Sequence, residues 1–262
     1  MSDKQLILVT GQKGGVGKST FSRILLDHLR SGDKAVAAFD GDGSVGHLLQ
    51  YYGQKEDGNL KREQDPNTGV GYYDLRNRRE REQLMGSLHQ NADIIMHDLP
   101  GGATSAITEA VDVSGKSAEA LVVAAKEMGF STTIAIVINT DQASARAVIS
   151  TIRAFGDQAN YVIIKNLNAC TLEDFIVYDG FEDANGNNIG GTAANAAKEV
   201  NATEIMMPEV YRSTAVKIDL WSLPFTEATE DNRMHIQDKT RISQWIELMR
   251  TEVNKASDKF GS

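Results

Sequence analysis

Short apolar runs alternate with amphipathic segments along this chain, and each apolar run ends at a glycine or a polar residue. The first run covers residues 6–9 and ends at Thr10 and Gly11, just before a glycine-rich turn. Over residues 19–30, apolar side chains then recur at the spacing of one helix face. This pattern predicts a strand, a loop and a helix in that order.

Further apolar runs predict more strands, and a helical pattern over residues 142–155 separates two of them. The predicted strands cover residues 35–39, 92–96, 133–138 and 161–165. Strands that alternate with helices favour a mostly parallel sheet with helices on both faces and ligands at the carboxyl ends of the strands. We therefore predict an α/β fold and a single domain over residues 1–262.

Two segments differ from this alternation. Residues 51–91 are more polar and contain glycine, proline and an arginine-rich run, so we predict an excursion from the sheet. Near the end, residues 240–256 predict an amphipathic helix. Its apolar face consists of Ile242, Trp245, Ile246, Met249 and Val253. The mixed charges beside this broad face favour docking onto the protein's own core over membrane binding.

Composition narrows the classes of protein. The formal net charge of -9 opposes a surface that is basic throughout, so any contact with nucleic acid has to come from a local patch. The single cysteine, Cys170, cannot form an internal disulfide, which suits a reducing cytoplasm. The first apolar run is far shorter than the core of an export signal, and every apolar stretch falls short of the ~20 residues that span a bilayer. We expect a cytoplasmic protein without stable membrane insertion.

The turn after the first predicted strand carries the strongest chemical signal. Residues 13–20 read Lys-Gly-Gly-Val-Gly-Lys-Ser-Thr, in which glycines let backbone N–H groups approach phosphate oxygens without a clash from Cβ. In this pattern Lys18 contacts the β and γ phosphates, Ser19 lends its hydroxyl to Mg²⁺ and Thr20 contacts the α phosphate. The predicted site for ATP and Mg²⁺ consists of Gly14, Gly15, Val16, Gly17, Lys18, Ser19 and Thr20.

The loop also departs from the general phosphate-loop pattern, because Gln12 stands where the first glycine is expected and a second lysine, Lys13, follows it. In this respect the sequence resembles the ParA/MinD family of deviant Walker-A ATPases, most closely its ParA branch. The resemblance implies a homodimer that forms in the ATP state. It also implies a catalytic role for Lys13, which would reach across to the nucleotide of the other subunit as an arginine finger does in trans.

Acidic residues end the next two predicted strands. Asp40 and Asp42 lie where the resembling family has an Asp-x-Asp switch segment. The resemblance implies that Asp42 orients or polarises the attacking water and that Asp40 supports the magnesium shell. Gly43 and Ser44 stand where family members commonly have proline and glutamine, so the chain departs from the family within this segment.

Asp98 follows the third predicted strand in the form of a Walker B element, an apolar run and then an acid that holds Mg²⁺ through water. Residues 99–102 read Leu-Pro-Gly-Gly and resemble the family's second switch, in which a glycine N–H senses the γ phosphate. His97 alternates to the other face of the strand, where a packed or solvent-facing histidine is expected rather than a ligand. The predicted metal site therefore combines Ser19, Asp40 and Asp98.

Two later positions complete the predicted nucleotide site. Asn166 follows the apolar run at residues 161–165, where the family's asparagine often contacts the adenine ring. Pro208, with Glu209, resembles the family's base-side loop. An asparagine at a strand end is also an ordinary turn former, and this alternative stays open.

The ParA-like resemblance implies plasmid or chromosome partition, cargo positioning or an accessory role in conjugation, carried out by an ATP-dependent dimer on DNA. We also expect slow hydrolysis that a protein partner stimulates. One local patch is basic enough to contact DNA without sequence preference. It contains Arg76, Arg78, Arg79 and Arg81, with Lys61 and Arg62 nearby. Glu80 and Glu82 interleave with the arginines, so a solvated helix face is an equally good interpretation.

Three other classes use the same ATPase fold. A membrane-cycling ATPase like MinD is expected to end in a basic amphipathic tail, whereas residues 254–262 are mixed in charge. A metallocluster carrier or tail-anchor targeting factor needs paired cysteines in most versions, and a single cysteine argues against it. A small-molecule enzyme, such as an amide-forming ligase or a P-loop kinase, stays open and would show ATP turnover that depends on a metabolite.

Overall fold

The computed structural model describes residues 4–43, 46–111 and 117–262, and within them the backbone forms eleven strands. These are β1 (Lys4–Thr10), β2 (Val36–Asp40), β3 (Lys55–Glu56), β4 (Asn59–Leu60), β5 (Gly71–Tyr72), β6 (Ile94–Asp98), β7 (Phe130–Ile138), β8 (Asn160–Asn166), β9 (Phe181–Glu182), β10 (Asn188–Ile189) and β11 (Thr203–Met207). Seven of them form one sheet, and the other four pair into two short antiparallel hairpins, β3 with β4 and β9 with β10.

The order of strands in the sheet is β11-β8-β7-β1-β6-β2-β5, and every neighbouring pair is parallel. The predicted parallel α/β sheet is therefore confirmed. Because β6 lies between β1 and β2, Asp98 at its end is in register with Val9 on one side and with Asp40 on the other. The glycine-rich loop and the two acidic strand ends thus meet at one edge of the sheet.

Helices cover both faces of this sheet. In the described ranges they are α1 (Lys18–Arg30), α2 (His47–Tyr52), α3 (Glu82–Gly86), α4 (Ala103–Val111), α5 (Glu119–Glu127), α6 (Gln142–Phe155), α7 (Ile176–Asp179), α8 (Thr192–Glu199), α9 (Arg212–Leu220), α10 (Phe225–Ala228), α11 (Ile236–Asn254) and α12 (Ser257–Phe260). None of these helices has both the length and the apolar character that crossing a bilayer requires.

Alternate residues of the central strand β1 face opposite layers of helices. Leu6 and Leu8 pack in the layer that contains α5, α6 and α8, whereas Ile7 and Val9 pack in the layer that contains α1 and α9 to α12. All four side chains are fully buried. At ~1.5–3 kcal/mol for each large apolar side chain taken out of water, these two layers stabilise the sheet that carries the loops.

Some strand boundaries differ from the predicted ones by a few residues. Asp40 and Asp98 are the last residues of β2 and β6, although the apolar runs end before them. The reason is that the ladder of hydrogen bonds continues past the apolar side chains, and Gly41 N–H donates to the carbonyl of Asp98 at 2.8 Å. Asp40 and Asp98 therefore belong to the sheet itself and not to the loops that follow it.

The polar segment at residues 51–91 returns to the sheet, which its pattern does not indicate. β5 pairs with the end of β2, and Tyr73 N–H donates to the carbonyl of Asp40 at 3.0 Å. Gly71 is needed at this place, because a Cβ there would lie 2.7 Å from the ring of Phe39. The predicted excursion is thus wrong for residues 71–72, which form too short a strand for periodicity to reveal.

The long helix α11 begins and ends earlier than the pattern over residues 240–256 indicates. All five side chains of its apolar face are buried in the layer that contains α1. The short helix α12 follows it, and the fully buried ring of Phe260 has its centroid 6.2 Å from that of Phe21. The protein's own core therefore covers this apolar face.

Candidate nucleotide-binding site

The glycine-rich loop joins β1 to α1 at the carboxyl edge of the sheet. Gly15 and Gly17 have φ angles of 81° and 99°, which lie in the left-handed region that favours glycine. Gly17 also lies against a neighbouring strand end, since a Cβ there would be 2.5 Å from Nδ2 of Asn166. α1 begins at Lys18, and the first backbone N–H groups of a helix have no partner within it. The loop therefore offers the positive end of α1 to an anion.

A cavity of about 690 Å³ opens beside this loop. Most of the predicted site residues line it, namely Gly14, Gly15, Gly17, Lys18, Ser19, Thr20, Asp42, Asn166 and Pro208. Val16 is instead buried beneath the loop. Lys13, Asp40 and Asp98 are placed outside the lining of the cavity. One continuous space thus connects the predicted phosphate and base positions.

Lys18 is buried at the start of α1, where its Nζ donates to the carbonyl of Lys13 at 3.1 Å. Burial lowers the pKa of Lys18. The charges of Asp98 and Asp42 raise this pKa again, and the charge of Arg76 lowers it. A buried ammonium group that donates to a neutral carbonyl gains from an anionic ligand, because the ligand replaces lost hydration.

Asp98 lies at the end of β6, next to the phosphate loop, and its Oδ1 accepts a hydrogen bond from Oγ of Ser22 at 2.9 Å. Burial and the neighbouring charge of Asp40 raise the pKa of Asp98 to about 7. Hydrogen bonds from Ser19 and Ser22 act against this rise. A buried carboxylate that is held by hydroxyl groups beside a second acid suits a hard cation, which prefers oxygen ligands.

Asp40 is also buried, but its oxygens already accept three backbone N–H groups. Oδ1 accepts from Asp42 at 3.0 Å, and Oδ2 accepts from Leu48 at 2.8 Å and from Leu49 at 3.1 Å. Burial raises the pKa of Asp40, and these hydrogen bonds oppose the rise. Asp40 therefore connects the end of β2 to the first turn of α2, behind the wall of the cavity.

Asp42 is the member of this acidic pair that lines the cavity. Its Oδ1 forms an ion pair with Nη1 of Arg76 at 2.8 Å. Asp42 also forms an isolated β-bridge with Asp74, which holds the acidic segment against the residues that follow β5. Ser44, where the chain departs from the resembling family, lies outside the described residues.

Lys13 lies at the surface beside its own loop. Its side chain is 57% exposed, and Nζ is 2.6 Å from Oδ2 of Asp141, the residue before α6. Hydrogen bonds from Lys13 and Asn139 lower the pKa of Asp141. The lysine thus pairs within its own chain while its ammonium group remains accessible.

Residues 99–102, which resemble a second switch, pack against the phosphate loop. Gly102 N–H donates to the carbonyl of Gly11 at 3.1 Å. A Cβ on Gly101 would lie 2.9 Å from Cα of Lys13, so glycine is required for this close approach. A movement of either segment would therefore displace the other.

The predicted base side of the cavity is formed by the ends of β8 and β11. Nδ2 of Asn166 donates to the carbonyl of Val16 at 2.9 Å, and Oδ1 accepts from Asn168 N–H at 3.1 Å. The carbonyl of Pro208 accepts a hydrogen bond from Nε1 of Trp245 at 2.8 Å. Asn166 thus forms a turn, contacts the phosphate loop and lines the cavity at the same time.

One cluster in the cavity wall is missing from the sequence predictions. The guanidinium of Arg23 stacks 3.5 Å from the ring centroid of Tyr51 and 4.2 Å from that of Phe225. Arg23 also pairs with Asp219 at 3.3 Å, and all four residues line the cavity. The one signal in the sequence is helical spacing, because Arg23 lies one turn after Ser19 on α1.

His97 is a core residue, in agreement with the alternation along β6. Its ring stacks on Phe39 with 4.9 Å between centroids, and its two nitrogens contact the hydroxyls of Tyr73 and Ser87 at 2.9 Å each. Burial lowers the pKa of His97 to about 3, so the ring is neutral. With both ring nitrogens engaged, His97 has a structural role.

Comparison with known proteins identifies the family to which this chain belongs. Residues 7–255 match the model of the CobQ/CobB/MinD/ParA nucleotide binding domain, and the chain therefore belongs to this family. No curated protein sequence matches it.

Solved structures of other proteins share the fold. MinD from Pyrococcus horikoshii, complexed with Mg-ADP, is 15% identical, with 97% of each chain covered and a TM-score of 0.51. A ParA family ATPase from Chlorobium tepidum is 14% identical, with 94% of this chain and 98% of that chain covered and a TM-score of 0.50. At these identities the likeness concerns the fold alone.

Proposed function

We propose that this chain is an ATP-binding and ATP-hydrolysing switch of the ParA type, whose ATP-bound form is a sandwich dimer. The observation that supports it most is the single cavity that joins Lys18 and the loop glycines to Asn166 and Pro208. Its volume of about 690 Å³ is in the range of small-molecule sites. The Pyrococcus horikoshii protein with the same fold holds Mg-ADP, which is the ligand chemistry that we propose for this cavity.

The oxygen donors at the phosphate end of the cavity fit Mg²⁺. The described residues contain no group of three or more acids, histidines or cysteines that could hold a metal. Mg²⁺ suits such a site, because it keeps several waters and shares the oxygens of bound phosphates. In our proposal Ser19 and Asp98 would hold the ion, and Asp40 would support these residues from behind. When bound, the ion offsets the charge of the phosphates.

Hydrolysis in this proposal depends on position and charge. Phosphoryl transfer needs little covalent help from the protein, so groups that orient water and neutralise charge contribute most. Lys18 binds the β and γ phosphates from within the loop. Asp42 lines the same cavity and orients the attacking water.

Lys13 acts in this proposal on the nucleotide of the other subunit. Two observations support this role, its exposed side chain and its position outside the lining of its own cavity. Its ion pair with Asp141 lies at the surface, where such pairs stabilise little and exchange readily. Docking of a second subunit can therefore recruit the lysine at small cost.

Light scattering with ADP and with a slowly hydrolysed ATP analogue tests the dimer. We expect the measured mass to be that of a dimer with the analogue and that of a monomer with ADP. Lys13→Ala should abolish the doubling or the hydrolysis, and Lys34→Ala, at an exposed lysine elsewhere, is the control. Full doubling and turnover in Lys13→Ala would refute its role. Calorimetry that detects no binding of ATP with Mg²⁺ would refute the whole proposal.

We further propose that the dimer works on DNA, in plasmid partition, cargo positioning or conjugation, with a protein partner that stimulates hydrolysis. In the basic patch, Arg76 pairs with Asp42, and Arg81 lies 3.5 Å from Glu109. The exposed cations that remain for DNA are Arg78, Arg79, Lys61 and Arg62. Filter binding at low and high salt tests this role. We expect the protein to retain DNA on the filter when ATP is present, and the retained fraction should fall steeply as salt rises. Absence of binding under every condition would remove the DNA role.

Two alternatives remain within the family. A membrane-cycling ATPase like MinD has the same fold, although here the apolar face of α11 is covered by the core. Sedimentation with anionic vesicles tests it, since nucleotide-dependent binding to vesicles instead of DNA would replace the ParA-type role. ATP turnover that requires a metabolite would favour a small-molecule enzyme.

A further inference from the structure

Arg76 follows the short strand β5 and reaches back to the acid that lines the nucleotide cavity. Its Nη1 lies 2.8 Å from Oδ1 of Asp42. Backbone contacts hold the two segments together beside this pair, because Leu75 N–H donates to the carbonyl of Gly41 at 3.0 Å and Asp42 bridges to Asp74. The fold itself therefore brings the arginine to the acid.

The turn that carries Arg76 is also held from its other side. Arg76 N–H donates to Oδ1 of Asp74 at 2.9 Å, and Asp74 N–H donates to Oε2 of Glu80 at 2.9 Å. The side chain of Arg76 is 50% exposed, whereas that of Asp42 is 26% exposed. The acid faces the cavity, and the arginine covers it from the solvent side.

The charges of this pair act on the phosphate end of the cavity. Arg76 and Asp42 are both close enough to change the pKa of Lys18, the first lowering it and the second raising it. A carboxylate beside a triphosphate repels the ligand unless a cation offsets its charge. An acid at this place therefore needs a partner, and Arg76 is bonded to it.

We propose that Arg76 is a positioning residue that neutralises and orients Asp42, so that an acid can face the γ phosphate without repelling it. This inference rests on the proposed ATPase function. It separates Arg76 from the arginines that follow it, which the sequence alone groups into one basic patch. It also predicts that Arg76 affects ATP more than ADP, because the third phosphate approaches Asp42.

Calorimetry with Mg²⁺ and either ADP or a slowly hydrolysed ATP analogue tests the inference. In Arg76→Ala we expect the analogue to bind about tenfold more weakly, because Asp42 loses the cation that offsets its charge at 2.8 Å. Binding of ADP should change by less than about twofold. Adding Asp42→Asn to Arg76→Ala should restore most of the affinity for the analogue, because the repelling charge is gone. Arg153→Ala, at an exposed arginine on α6, is the matched control.

Turnover gives a second measurement. Arg76→Ala should lower kcat about tenfold, Arg76→Lys should recover part of it, and Arg76→Ala should cost nothing more when Asp42 is already asparagine. Equal weakening of ADP and analogue, or a double variant that binds the analogue worse than the single one, would show a merely structural arginine and overturn the inference. Failure of the proposed function is distinguishable, because the unmodified protein would then bind or hydrolyse no ATP.

Discussion

The two sides of the nucleotide cavity use different kinds of interaction. On the phosphate side, Lys18 and Asp98 are charged groups taken almost completely out of water, with exposed fractions of 7% and 3%. On the base side, Asn166 and Pro208 present neutral groups whose hydrogen bonds are made within the protein. Burial perturbs the pKa values of Lys18 and Asp98 in the direction that disfavours their charged forms.

Because of this difference, we expect the two sides of the cavity to contribute differently to nucleotide binding. Buried charges that lack full compensation cost free energy in the nucleotide-free protein, and ligands of opposite charge relieve that cost. Groups that are already hydrogen-bonded gain less from a ligand, but they can reject one whose shape or hydrogen bonds do not match. We therefore expect the phosphate side to supply most of the affinity and the base side to supply selectivity for the purine.

Lys18→Ala should have the largest effect on binding. The ammonium group makes charge-assisted hydrogen bonds in our proposal, and their loss should cost ~3 kcal/mol, or about a hundredfold in affinity for ATP. Calorimetry with Mg²⁺ measures this change, with Lys34→Ala as a control that stays within about twofold. A loss of ATP affinity of the same size from a base-side substitution would contradict the expectation that the phosphate side supplies most of the affinity.

Much of the phosphate side can be predicted from the sequence, because its residues are neighbours along the chain or end adjacent strands. Residues 13–20 are consecutive in the chain, so their chemistry is visible as a motif. Asp40 and Asp98 end apolar runs, and parallel strands bring such ends to the same edge of a sheet. The sequence could not show that backbone N–H groups occupy the oxygens of Asp40.

The other contacts depend on pairs that are distant in sequence. Arg23 and Asp219 are 196 residues apart, and their pairing follows from the packing of α9 near α1. Arg76 appears in the sequence as one cation among several, since its partner Asp42 lies in another segment. Local patterns report charge and periodicity, but they do not report which elements become neighbours.

A second prediction concerns the buried acid Asp98 in the absence of Mg²⁺. Its pKa is raised from 3.8 to about 7, so between these values the native chain keeps a proton that the unfolded chain has lost. The free energy of unfolding therefore falls as pH rises, with the contribution fully present below pH 3.8 and lost above about pH 7. Asp98→Asn removes this titration. Between pH 5 and pH 8 the variant should lose roughly 2 kcal/mol less stability than the unmodified protein.

Urea denaturation at the two pH values, without metal, measures the difference. Asp40→Asn is the informative comparison. The two oxygens of the Asp40 carboxylate accept three backbone N–H groups, whereas an asparagine amide has only one oxygen that can accept. The substitution should destabilise the protein by ~1–3 kcal/mol even at pH 8. If the two variants showed the same stability at both pH values, the structural difference between a titrating Asp98 and a hydrogen-bonded Asp40 would be wrong.

Asn166→Ala should have the smallest effect on binding, and the comparison of this effect between different ligands is more informative than its size. Loss of the amide removes a contact to the carbonyl of Val16 and a cavity-lining group, which should weaken ATP by about fivefold, or ~1 kcal/mol. If Asn166 contacts the base, GTP and tripolyphosphate should bind the variant almost as they bind the unmodified protein, with Asn195→Ala as the control. Equal weakening of all three ligands would mean that Asn166 acts by holding the phosphate loop, and the base side would then share in the affinity that we assign to the charges across the cavity.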